Sequence, residues 1–247
     1  MHYMKILLNI IILTFMIFPF YSRGNSYFGI ETGVVKNAYN NQRIPGKDGT
    51  LFDMAPSFDE YNSYYRLSYH YLSKDRSGFR FLYAPLSLTG EKKFEKDIDF
   101  KGTLFESSDK THTSYKFNSY RGTYFYQVIK SKAAMVNIGG TLKIRDAKVL
   151  LKQGDLKKFK ENVGVVPLLY LYSEYRWDNG ARIALDFDGL VASQGRAIDL
   201  AFMGGYYLNS FFRISLGYRM LEGGADNEKV YNFSLFHYYF TSLDFSF

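Results

Sequence analysis

Residues 231–247 read YNFSLFHYYFTSLDFSF. The odd positions are Tyr231, Phe233, Leu235, His237, Tyr239, Thr241, Leu243, Phe245 and Phe247. The even positions are Asn232, Ser234, Phe236, Tyr238, Phe240, Ser242, Asp244 and Ser246. Toward the end the odd face is apolar and the even face polar. A period of two belongs to an extended strand, whose successive side chains point to opposite sides. Sustained over about ten residues, it is the pattern of a strand that crosses a membrane. In water the apolar face would need a protein core; in a bilayer it faces hydrocarbon.

The same test applied upstream predicts nine more strands, at about 26–38, 60–72, 78–90, 114–128, 133–149, 163–176, 181–192, 197–208 and 211–221. Representative outward residues are Phe28, Ile30, Tyr65, Phe79, Tyr124, Ile138, Leu169, Ile183, Phe202 and Ile214. The opposite parity carries Glu31, Arg66, Ser68, His70, Arg80, Arg121, Lys143, Arg145, Glu174, Arg176, Arg182, Asp186, Asp188, Asp199, Arg213, Arg219 and Asp244. Short connections (73–77, 129–132, 177–180, 209–210) alternate with longer ones at about 39–59, 91–113, 150–162 and 222–230, and with a brief one near 193–196. Short turns on one side and longer loops on the other are the barrel arrangement. The expected fold is therefore all-β: a single antiparallel up-and-down transmembrane β-barrel of about ten strands, or eight if one weak hairpin is loop. A soluble β-sandwich also alternates. It is disfavoured by aromatics gathered on one face, charges on the other, and an export signal.

That signal is predicted in residues 1–24. Lys5 precedes an apolar run from Ile6 to Phe20, and Ser22 and Gly24 stand at the spacing of a cleavage site after Gly24. At roughly 15 residues the run is short for a span of about 20. The expected domains are a signal peptide, 1–24, and a barrel, 25–247. No later stretch reaches the roughly 18 apolar residues of a spanning helix.

Composition agrees. Hydrophobic residues reach 47% and aromatics 19%, yet mean hydropathy is only −0.22, so apolar residues are diluted along the whole chain. Pro is only 5, which suits long strands. Cys is 0, which excludes disulfides, thiolate metal sites and a cysteine nucleophile. The formal charge of +7 becomes +5 once Lys5 and Arg23 leave with residues 1–24. The basic residues are interleaved with acids rather than clustered, which argues against a nucleic-acid partner.

The ending Tyr239, Leu243, Phe245, Phe247 resembles the C-terminal insertion signal of bacterial outer-membrane proteins. The resemblance implies recognition by the outer-membrane insertion machinery, and a location in the outer membrane of a Gram-negative bacterium. Further runs are similar to a family of small outer-membrane barrel proteins without assigned activity. They are Arg43-Ile44-Pro45-Gly46, Tyr83-Ala84-Pro85-Leu86, Phe117-Asn118-Ser119-Tyr120-Arg121, Ile144-Arg145-Asp146-Ala147, Gly217-Tyr218-Arg219 and Glu222-Gly223-Gly224-Ala225-Asp226-Asn227. This resemblance carries no catalytic residues across.

The lumen residues are expected to form a salt-bridged polar plug, because a barrel of this size is filled by its own side chains and unpaired buried charge is costly. The candidate lumen network is Glu31, Arg66, His70, Arg80, Arg121, Lys143, Arg145, Glu174, Arg176, Asp186, Asp188, Asp199, Arg213, Arg219 and Asp244. The expected role is non-enzymatic: structural, or contacting ligands and surfaces through the loops, with outer-membrane lipid and lipopolysaccharide as partners. The alternatives are a narrow pore for small solutes and a lipid-modifying enzyme. For the enzyme, the nearest pair is Ser68 and His70, two residues apart on one face, where an oriented imidazole could activate a hydroxyl. Their inward parity is wrong for attacking a lipid outside the barrel. Outer-membrane proteases use paired acids and a His at the extracellular rim, where Asp53, Asp59, Asp97, Asp99, Asp226 and Glu228 could stand. His112 is expected in a loop and His237 at the membrane interface. Lys152, Lys157, Lys158 and Lys160 form a basic cluster in a predicted loop, which reads first as a solvated loop tip and second as a contact for anionic lipopolysaccharide or a host surface. Gly223-Gly224 reads as a turn, the glycines at 46–49 lack the following helix of a phosphate loop, and Gly29 and Gly33 lie in a predicted strand as twist positions rather than in a nucleotide site. No cofactor or metal is expected.

Overall fold

A computed structural model describes residues 25–247; the predicted signal peptide lies outside them. Among the described residues fourteen strands follow one another: β1 (Asn25–Arg43), β2 (Phe52–Asp53), β3 (Asn62–Leu72), β4 (Ser77–Ala84), β5 (Ser87–Lys92), β6 (Ile98–Phe100), β7 (Thr103–Phe105), β8 (Thr111–Lys130), β9 (Ala134–Gln153), β10 (Leu156–Arg176), β11 (Ala181–Ala192), β12 (Gly195–Tyr207), β13 (Phe212–Asn227) and β14 (Val230–Ser246). Each barrel strand pairs antiparallel with its sequence neighbour, and β14 returns to β1 along Tyr27↔Ser246 to Arg43↔Tyr231. β4 and β5 are one barrel strand interrupted at Pro85 and Leu86; both pair with β8. The wall is thus a closed ten-stranded barrel, and closure leaves no sheet edge at the seam between the termini.

The side-chain parity is the expected one through the membrane. Ile138, Leu142, Leu169, Ile183, Phe202 and Leu216 point outward, each more than half exposed. Tyr126, Tyr175, Trp177, Tyr206 and Phe211 ring the end with the short turns, and Tyr61, Tyr65, Tyr120 and Tyr239 ring the other. An apolar band flanked by aromatic girdles is the exterior of a barrel solvated by hydrocarbon.

Above that band several expectations fail for one reason. The strands continue past the membrane. The predicted loop 150–162 is a hairpin turning within Gln153↔Leu156, and 222–230 is a hairpin turning at Asn227↔Val230. The lysine cluster therefore lies largely on strands, Gly223-Gly224 is inside β13 rather than at a turn, and His112 is in β8 rather than in a loop. Here the pattern inverts: Val149 and Leu151 are buried inside the barrel, while Asp146, Lys148 and Lys152 face out. The exterior is now water and the interior is an apolar plug.

The plug is made by the chain between barrel strands. Residues 44–61 and 93–110 fold inward rather than standing in solvent, and bury Ile44, Phe52, Met54, Phe58, Ile98, Phe100 and Phe105 against Leu88 and Leu151. The β6–β7 hairpin turns through Lys101 and Gly102, both at positive φ (57° and 69°), the left-handed pair of a two-residue hairpin turn.

Candidate functional site: the charged lumen

Beneath the plug the lumen is filled by charge. Six arginines meet six carboxylates. Near the short-turn end, Glu174 of β10 receives Arg182 of β11 and, at 3.5 Å, Arg213 of β13; Arg213 also bonds Asp244 of β14 at 2.8 Å. Higher up, Arg80 of β4 bonds Asp186 at 2.9 Å and also Asp188, both from β11. Arg121 of β8 spans Asp188 at 2.7 Å and Asp199 of β12 at 2.6 Å. Asp199 also receives Arg66 of β3 at 3.2 Å and Arg219 of β13, and Arg219 reaches Glu31 of β1 at 2.9 Å.

Neutral donors complete the carboxylate shells. The Thr141 hydroxyl donates to Asp188 at 2.6 Å, the Tyr64 hydroxyl to Glu31 at 3.0 Å, and the Tyr172 and Tyr207 hydroxyls to Glu174 at 2.7 and 2.6 Å. Arg80 lies over the Tyr170 ring at 4.3 Å and Arg213 over Tyr27 at 4.8 Å. Such dense bonding is what a buried charge needs, since removing ions from water costs several kcal/mol each. Arg182 belongs to this network although the candidate set omits it; its inward parity is legible on β11.

Four candidates stand apart from the ion pairs. His70 stacks on Tyr27 and its Nδ1 is 2.8 Å from the Tyr27 hydroxyl. Among the described residues it makes no bond to Ser68, so the two do not form a nucleophile–base pair. Arg176 is exposed at the short-turn rim, where it donates to the Lys132 carbonyl at 3.2 Å and lies over Tyr207; it is outside the network because it sits below the sealed region. Lys143 points inward from β9 directly opposite Arg121, at the upper edge of the network, and Arg145 points inward two residues farther on; neither has a carboxylate partner among the described residues. His237 faces outward against Tyr218, as its parity predicts.

The rim acids do not converge. Asp53 accepts the N–H groups of Asn40 and Ala55, Asp99 that of Gly102, and Glu228 pairs with Lys47. Asp97 accepts the backbone N–H and hydroxyl of Ser107, which hold its carboxyl below the usual carboxylate range. His112 stands 4.0 Å from Glu91 in solvent. The terminal aromatics form an external strip: Phe245 contacts Phe212 and Phe247, and Phe247 stacks on Tyr69.

No family model and no curated protein matches this sequence. Solved structures do match. The outer membrane protease OmpT from Escherichia coli is 8% identical, with 90% of this chain and 97% of that one covered, at a TM-score of 0.56. Neisserial surface protein A is 11% identical over 89% and 97%, at 0.37, and Ail of Yersinia pestis 12% identical over 90% and 99%, also at 0.37. At these identities the likeness is one of fold: this chain has the architecture of bacterial outer-membrane barrels.

Proposed function

We propose that this chain is a non-conducting integral outer-membrane protein, whose barrel serves as a rigid support and meets ligands or surfaces with its extracellular part. The observation that carries this reading is the neutral network of six arginines and six carboxylates that fills the lumen beneath the plug. The space left near His70 is about 70 Å³, and that between Tyr64 and Phe117 only about 10 Å³. The apolar extracellular core closes the same axis a second time. Ser68 and His70 open into the lumen, away from lipid, which speaks against a lipid-modifying role for them. The protease neighbour shares the fold, but the rim acids of this chain are mostly held in turns and local pairs.

Planar-bilayer recording of the purified protein tests the reading. The expected record is silent, in lipid where a known porin conducts. Steady single-channel conductance from the folded, heat-modifiable protein would overturn it in favour of the narrow pore.

A further inference from the structure

Apart from Arg176, which is exposed at the short-turn rim, the six-to-six balance leaves two inward cations over among the described residues. Lys143 is 3% exposed and makes neither an ion pair nor a hydrogen bond among the described residues; the Phe117 ring lies 4.8 Å from its Nζ. Arg145 donates from Nη2 to the Asn162 side-chain oxygen, and its Nε is buried without a partner. Both line a cavity of about 370 Å³ above the network, within the roughly 300–1,000 Å³ of small-ligand sites. The carboxylate on its wall, Glu222, is already held by Arg196 and the Tyr39 hydroxyl. A buried cation without a counter-charge is unfavourable, and here there is room for the missing anion.

That cavity has a gap in its wall. β10 and β11 pair from Arg176↔Arg182 to Leu169↔Gly189 and part there. Yet β10 continues along β9 to Leu156, and β11 continues along β12 to Ala192. Pro167, which has no N–H for a ladder, sits at the parting, where a strand becomes an edge. Val165, Val166 and Pro167 on one side and Leu190 and Ala192 on the other line the cavity. Val165 and Val191, beside the gap, face the exterior at 67% and 68% exposure. Val165 pairs with Ile144, on the membrane side of Asp146 and Lys148, so the gap opens at the height of the outer leaflet. A similar parting between β3 and β5 is closed by the chain at 55–58, through a Phe58–Gly90 bridge. No such bridge crosses the β10–β11 gap among the described residues.

We propose that this gap is a lateral portal that admits a single-chain anionic amphiphile, a fatty carboxylate, from the outer leaflet. Its chain lies between β10 and β11, and its head group rests on Lys143 and Arg145. The two unpaired cations select the sign of the head group. The apolar mouth and the Tyr115, Phe117 and Phe236 walls accept the chain, and the volume suits one chain rather than a multi-acyl lipid.

Photo-crosslinking of the full-length protein in phospholipid vesicles tests this, with a diazirine-bearing palmitic acid as probe and the matching diazirine alcohol as control. Peptide mapping should place adducts of the acid at Tyr115, Phe117 and 165–167, about tenfold above those of the alcohol, the discrimination expected of charge-assisted contacts. Labelling of the outer apolar band should be equal for both. The double variant Lys143→Gln/Arg145→Gln should lower cavity labelling by the acid to the level of the alcohol. Leu190→Trp keeps both cations but fills the mouth, and should remove cavity labelling by both probes; it carries the test if the double variant fails to fold. Equal cavity labelling by acid and alcohol, adducts confined to the outer band, or indifference to the substitutions in folded protein would each overturn the proposal.

Discussion

Asp199 is the residue on which most of the lumen depends. It accepts from Arg66, Arg121 and Arg219, contributed by three other strands. Removing its charge leaves three guanidinium groups short of a partner in a site closed to water. Breaking a buried pair by removing one partner costs about 3–5 kcal/mol. Asp199→Asn should therefore lower the unfolding free energy in vesicles by an amount of that order, read as a fall in the denaturant midpoint. By contrast, Lys36→Met, which breaks an ion pair between side chains 41% and 64% exposed, should change stability by less than about 1 kcal/mol. Equal effects of the two would mean the lumen is hydrated enough to screen its charges. The inward orientation of Asp199 is legible in its alternation with Ile198 and Leu200. Its partners are not legible: parity gives the face of a strand but not the height along the lumen, and a partner on β3 or β8 is fixed only once the register of the whole barrel is known. The same gap in the sequence signal hides the unpaired state of Lys143 and Arg145.

For single elements, legibility ends where the solvent changes. β9 reads clearly as a strand through Val136, Ile138, Leu142 and Ile144, because hydrocarbon lies on one side and charge on the other. Past Asp146 the outward face becomes polar and the inward face apolar, so the alternation reverses phase and resembles a loop rich in lysine. The hairpin between β9 and β10 is missed for that reason, and its lysines protect an exposed strand edge. Proline punctuates the wall differently in its two interruptions. At Pro85 the broken strand is closed over by the 55–58 segment, and Gly90 makes this possible: a Cβ there would stand 1.7 Å from the Ser57 carbonyl oxygen. Gly90→Ala should push this segment off the wall. The expected outcome is new proteolytic cleavage within 44–61 on intact vesicles, with the heat-modifiable gel shift preserved. An unchanged digestion pattern would show that Gly90 does not govern how that segment docks.

In the molecule as a whole, one wall meets two solvents. The lower exterior is apolar and girdled by aromatics, the lower interior is a neutral ion network, and above the membrane the two polarities exchange places. No water-soluble barrel needs that exchange; a barrel half in hydrocarbon does. The prediction that separates these cases places one charge at two depths. Leu169, outward on β10, pairs with Gly140 and Gly189 at the middle of the apolar band. Leu156, outside that band at the tip of the β9–β10 hairpin, is also exposed. An arginine on the lipid face near the midplane costs about 2–4 kcal/mol, whereas an exposed substitution in water falls within about 0.5 kcal/mol. Leu169→Arg should thus destabilise the barrel by the larger amount in phospholipid vesicles, read from guanidinium unfolding, while Leu156→Arg leaves the midpoint nearly unmoved. If the two variants unfold alike, the exterior of this barrel is not solvated by hydrocarbon. The outer-leaflet portal would then lose its membrane, although the lumen network would stand.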